Sequence, residues 1–79
     1  VALYIDIRRV ADSLTEAEYD YTGPDGELGR LLINKHDGQI ELLQQAIGDD
    51  RGQYWNRAAR KLVRHWADGD LPEHTCWAS

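Results

Sequence analysis

His65, His74 and Cys76 are the residues whose side chains could ligate a metal or share in nucleophilic chemistry. Imidazole nitrogen and thiolate sulfur both suit zinc, and a histidine can serve as base to a cysteine. Their spacing argues against both uses. Structural zinc sites take four ligands and show paired close spacings, which this trio lacks. A Cys–His couple needs rigid surroundings, whereas His74 and Cys76 sit near a chain end, where backbones fray. The expectation is no metal, no cofactor and no catalytic residue. His65 then lies at the margin of a helix stripe, and Cys76 is a small apolar residue beside Trp77.

Two other groupings resemble chemistry only in part. Gly23, Gly26 and Gly29 are spaced in threes, but no Gly-Lys-Ser/Thr ending follows, and Asp25 and Glu27 would repel phosphate; they read as turn and strand glycines. Glu16, Glu18 and Asp20 form an acidic row that reads as the solvated side of a strand, where charge discourages unwanted pairing.

The stretch from Tyr54 to Trp66 places Arg57, Arg60, Lys61 and Arg64 between two tryptophans. At about 100° per residue, Trp55, Ala58, Ala59, Leu62, Val63 and Trp66 share an arc about 140° wide, and the four cations occupy the opposite arc. Nucleic-acid grips set stacking rings beside their cations. Here the rings point toward whatever the helix packs on, so the cations alone remain as a candidate partner-binding face.

The elements that must position these residues follow from periodicity. Leu3, Ile5 and Ile7 alternate with polar neighbours as a strand with one buried face requires, and residues 16 to 22 repeat the pattern with Ala17, Tyr19 and Tyr21. A competing signal, Ser13-Leu14-Thr15-Glu16, matches a helix capping box and leaves open a short helical turn near 12 to 16. Residues 27 to 34 and 39 to 43 form a hairpin around Lys35-His36-Asp37-Gly38, with Gly38 in the left-handed position. Asp49 and Asp50 mark the start of a helix over 50–68, which Gly69 and Pro72 end.

The predicted fold is α+β: a four-stranded, mainly antiparallel meander over residues 1–45, one C-terminal amphipathic helix on one sheet face, and a docked tail over 69–79 held by Trp77, all in a single domain. If the helix covers the Ile5/Tyr19/Ile33/Leu42 side, then Tyr4, Leu32 and Leu43 face the other way and offer a second partner-binding or homodimer surface.

At 79 residues the domain has a thin stability margin, so association is part of the expectation. The net charge is −5, divided unevenly. Residues 1–50 hold eleven Asp/Glu against four Lys/Arg, and residues 51–79 hold three against five. The negative total opposes phosphate backbones at long range. No apolar run approaches the roughly 20 residues of a membrane span, and no charged start followed by an apolar run marks a secretory signal. With one cysteine, a cytoplasmic setting is expected. The function expected is a non-enzymatic protein-binding or regulatory domain; the alternative class is nucleic-acid binding through the basic helix face.

Overall fold

The computed structural model describes residues 3–78. Five strands, β1 (Tyr4–Asp12), β2 (Glu16–Thr22), β3 (Leu28–Asn34), β4 (Ile40–Gln44) and β5 (His74–Ala78), flank one helix, α1 (Gln53–Ala67). They form one antiparallel sheet in the order β4-β3-β2-β1-β5, with α1 packed across it. The α+β meander-then-helix architecture is the one expected. The tail, however, is a fifth strand: Ile5 pairs with Trp77 and Ile7 with Thr75, so β5 extends the sheet beyond β1.

Alternation explains which face is covered. Ile5, Ile7, Ala17, Tyr19, Tyr21, Leu31 and Ile33 point to one side and are buried, and Ala58 and Leu62 of α1 close over them. Leu3, Ile40, Leu42, Trp55, Trp66 and Trp77 pack at the margin of this core. The two buried tyrosines have bonded hydroxyls: Tyr19 donates to the Pro72 carbonyl at 2.6 Å, and Tyr21 accepts from the Ala46 N–H at 3.0 Å. Burial is the main cause that pushes both phenols above their ordinary range. Tyr21 lies flat over Gly29, where a Cβ would come within 2.2 Å of the ring.

Two local signals are used differently from their reading in the sequence. Ser13-x-x-Glu16 caps no helix. The Ser13 hydroxyl accepts from the N–H groups of Thr15 at 3.3 Å and Glu16 at 3.2 Å, closing the β1–β2 turn with the bonds a helix cap would make. The helix begins at Gln53, three residues later than Asp50. Asp49 still acts as its cap: the carboxylate is almost fully buried and accepts from the N–H groups of Tyr54 at 2.9 Å and Trp55 at 3.1 Å.

Gly38 fixes the other end of α1. Its φ of 75° is the left-handed value expected of the β3–β4 turn, and a Cβ there would come within 2.6 Å of the Trp66 ring. Trp66 in turn donates its indole N–H to the Lys35 carbonyl at 2.7 Å. The helix is therefore pinned at both ends, which sets which of its sides faces outward.

Candidate functional site

With Ala58 and Leu62 buried and Trp55 and Trp66 turned to the core, the outward side of α1 carries Arg57, Arg60, Lys61 and Arg64. They follow one another at spacings of three and four, so Arg57–Arg60, Arg57–Lys61, Arg60–Arg64 and Lys61–Arg64 are all neighbours on the helix surface. The helix has no Asp or Glu. Among the described residues, none of the four cations forms an ion pair, and the one polar contact is from Arg57 to the Gln53 carbonyl at 3.0 Å. The rest of the chain holds five Lys/Arg against fourteen Asp/Glu, a net −9.

Ring orientation decides what this ridge lacks. Trp66 is tied to Lys35 and Trp55 packs on the core, so neither tryptophan stands beside the cations as a stacking platform.

The open sheet face is organised in rows by the strand register. One row runs His74, Arg8, Asp20, Arg30 and Gln44 across all five strands. It is knit by ion pairs: Arg30 to Asp20 at 2.7 Å, and Arg8 to Asp6 at 3.0 Å, with His74 on the other oxygen of Asp6 at 2.5 Å. Burial pushes the Asp6 carboxyl up, but the His74 hydrogen bond and the Arg8 charge outweigh it and hold the group below its usual range. The carboxylate beside Arg30 raises the guanidinium further.

On one side of this row Leu32 lies between Glu18 and Glu41, with Glu16 and Asn34 paired next to them. Among the described residues, Glu16, Glu18 and Glu41 form no ion pair. Leu43 is exposed on the same edge of the sheet. Tyr4, half exposed, stands on the other side of the row and pairs with Ala78. The ionic row thus separates Tyr4 from Leu32 and Leu43, although all three face away from the helix.

His65, His74 and Cys76 do not converge. His74 and Cys76 lie on the open sheet face, while His65 Nε2 is 3.2 Å from the hydroxyl of Thr75, on the helix side of β5. Among the described residues no group of three or more His, Cys, Asp or Glu is arranged to hold a metal.

A concavity of about 740 Å³ lies beside the C-terminal end of α1 between Arg9, Asp12, Lys35, Trp66 and Leu71. Nothing in the sequence singled it out, because its residues come from four separate segments. Its polar groups are already engaged. Lys35 bridges Asp12 and the Ser13 carbonyl, and Arg9 reaches the Leu71 carbonyl, Asp12 and Glu73. The Lys35 hydrogen bond is the main cause that holds the Asp12 carboxyl below the usual range. These contacts clasp the β1–β2 turn, the β3–β4 turn and the segment leading into β5.

Comparison with protein families, with curated proteins and with solved structures gives no match. No helix among the described residues is long and apolar enough to cross a membrane.

Proposed function

We propose that this chain is a non-enzymatic protein-binding domain that docks an acidic protein surface on the outer side of α1 through Arg57, Arg60, Lys61 and Arg64. The observation that carries the reading is the unneutralised cationic ridge. Like charges at helical contact spacing cost about 0.2–0.5 kcal/mol per pair, so four such contacts cost roughly 1 to 2 kcal/mol. In a small domain with a thin margin that is a substantial cost, and a partner carboxylate surface would relieve it.

Nucleic acid is the alternative occupant. It is less well supported because the tryptophans are turned inward and the remaining chain carries −9. The test is capture of partners from lysate on immobilised protein, with and without nuclease. Wild type is compared with a form carrying Arg57→Glu, Arg60→Glu, Lys61→Glu and Arg64→Glu. Protein retained after nuclease and lost on charge reversal is the expected outcome. Capture unchanged by reversal would remove the helix face from consideration, and capture abolished by nuclease would replace protein with nucleic acid.

A further inference from the structure

Among the described residues, two faces whose charged groups form no ion pair are opposite in sign and lie on opposite layers. Outside α1 sits the ridge of Arg57, Arg60, Lys61 and Arg64. On the open sheet face, Glu16, Glu18 and Glu41 surround Leu32, with Leu43 exposed nearby. Elsewhere the cations of the sheet and its turns, Arg8, Arg9, Arg30 and Lys35, are each paired with a carboxylate.

We propose that the occupant of the basic helix face is the open sheet face of a second copy of this chain, docked head to tail so that the α1 cations meet Glu16, Glu18 and Glu41. The inference rests on the reading of α1 as a docking face and names its partner. Shape agrees with charge. The outer side of a helix is a convex ridge, and Glu16, Leu32, Asn34, Ile40 and Glu41 line a shallow depression of about 340 Å³ on the sheet. The half-buried Leu32 gives that depression an apolar part against which the stems of Arg and Lys can lie, and Leu43 is exposed nearby. Docking of this kind is heterologous. A docked pair still offers one free helix face on one copy and one free sheet face on the other, so association continues in steps instead of stopping at a dimer.

The experiment is sedimentation velocity of the full chain over a concentration series, at about 10 mM and about 1 M salt, which shortens the screening length from about 30 Å to about 3 Å. A helix-reversed variant carries Arg57→Glu, Arg60→Glu, Lys61→Glu and Arg64→Glu; a sheet-reversed variant carries Glu16→Lys, Glu18→Lys and Glu41→Lys. Folding of each is verified by its cooperative melting. The proposal expects an average mass that rises with concentration without a plateau at low salt, with association weakened ten-fold or more at high salt. Each variant alone should stay monomeric, and the two mixed should associate again, because each then meets a face of opposite sign.

A control carrying Asp25→Lys, Asp50→Lys and Asp70→Lys has the same net charge as the sheet-reversed form but keeps both faces, so on its own it should associate as wild type does. A control that stays monomeric like the sheet-reversed form would overturn the proposal, since net charge would then explain the effect. A wild-type chain that is monomeric at every concentration would overturn it too, as would a mass that levels off at a dimer, or a mixture of the two variants that stays monomeric. Capture of a poly-glutamate peptide by wild type and not by the helix-reversed form, in the absence of self-association, would leave the docking-face reading standing while removing the second copy as its occupant.

Discussion

The outer row of the sheet and the outer ridge of the helix carry the same kinds of cation under opposite conditions. Arg8 and Arg30 sit among Asp6, Asp20 and His74: Arg30 meets Asp20 across the β2–β3 register, and Arg8 pairs along β1 with Asp6, which also meets His74 of β5. Arg57, Arg60, Lys61 and Arg64 repel one another along α1 and, apart from the hydrogen bond of Arg57 to the Gln53 carbonyl, make no polar contact among the described residues. Charge in the first region belongs to folding, whereas in the second it is a load that folding carries. Side chains of one chemical type therefore call for different experiments on the two layers.

The largest effect should come from the contact that holds the layers together. Leu62→Ala leaves a cavity between α1 and the sheet and should cost about 3 kcal/mol in urea unfolding, within the range for buried leucines. Next comes the buried cap. Asp49→Ala leaves the Tyr54 and Trp55 N–H groups without their acceptor and should cost about 2 kcal/mol, with Asp49→Asn recovering part of it. If either change proved neutral, the helix would not be fixed on the sheet as described, and its outward ridge would lose its definition.

A smaller change sharpens the contrast directly. Arg60→Glu places a carboxylate three residues after Arg57 and four before Arg64, replacing two repulsions with two attractions. The variant should be about 0.5–1 kcal/mol more stable than wild type and should bind an acidic partner less well. A destabilised variant would show that Arg60 has a folding role and would erase the distinction between the two regions.

The smallest expected effect is on acid stability. Asp6 and Asp12 are held below the usual carboxylate range when folded, while in the unfolded chain they titrate near about 3.9. As pH falls, the unfolded state takes up protons first, so their stabilising contribution is present above the unfolded value and is lost as pH drops through the folded one. Asp12→Asn should flatten the fall of the thermal midpoint between about pH 5 and about pH 2. Arg60→Glu should leave the clasp at Asp12 unaltered, and a changed contribution from Asp12 would mean that the two regions are coupled.

Much of the fold was legible because burial imposes a period. Ala17, Tyr19 and Tyr21 alternate with charges, and Ala58 and Leu62 recur on one side of α1, so strand, helix and covered face could all be read. The fifth strand was not legible. In β5 the inward residues are Thr75 and Trp77 and the outward ones are His74, Cys76 and Ala78, a mixture with no clear polarity contrast. Ser13 and Glu16 show a different limit: the bonds of a capping box suit a hairpin turn as well as a helix start, and only the neighbouring strands decide between them. At the candidate site, the separation of rings from cations followed from helical spacing alone. The separation of Tyr4 from Leu32 did not, since it depends on the cross-strand register that aligns Arg8, Asp20 and Arg30.

The pairing of Tyr4 with Ala78 bears on how the chain comes to be folded. Strands β1 to β4 are successive neighbours and can zip together through short turns. The flank of β1 that receives β5 must wait until nearly all the rest has been made, and it offers unpaired backbone groups throughout that interval. During synthesis at about 5–20 residues per second, the nascent protein therefore spends seconds with a bare strand beside an unfinished core. Chaperone engagement and misassembly between neighbouring nascent chains should concentrate in that window and end when the last strand is delivered.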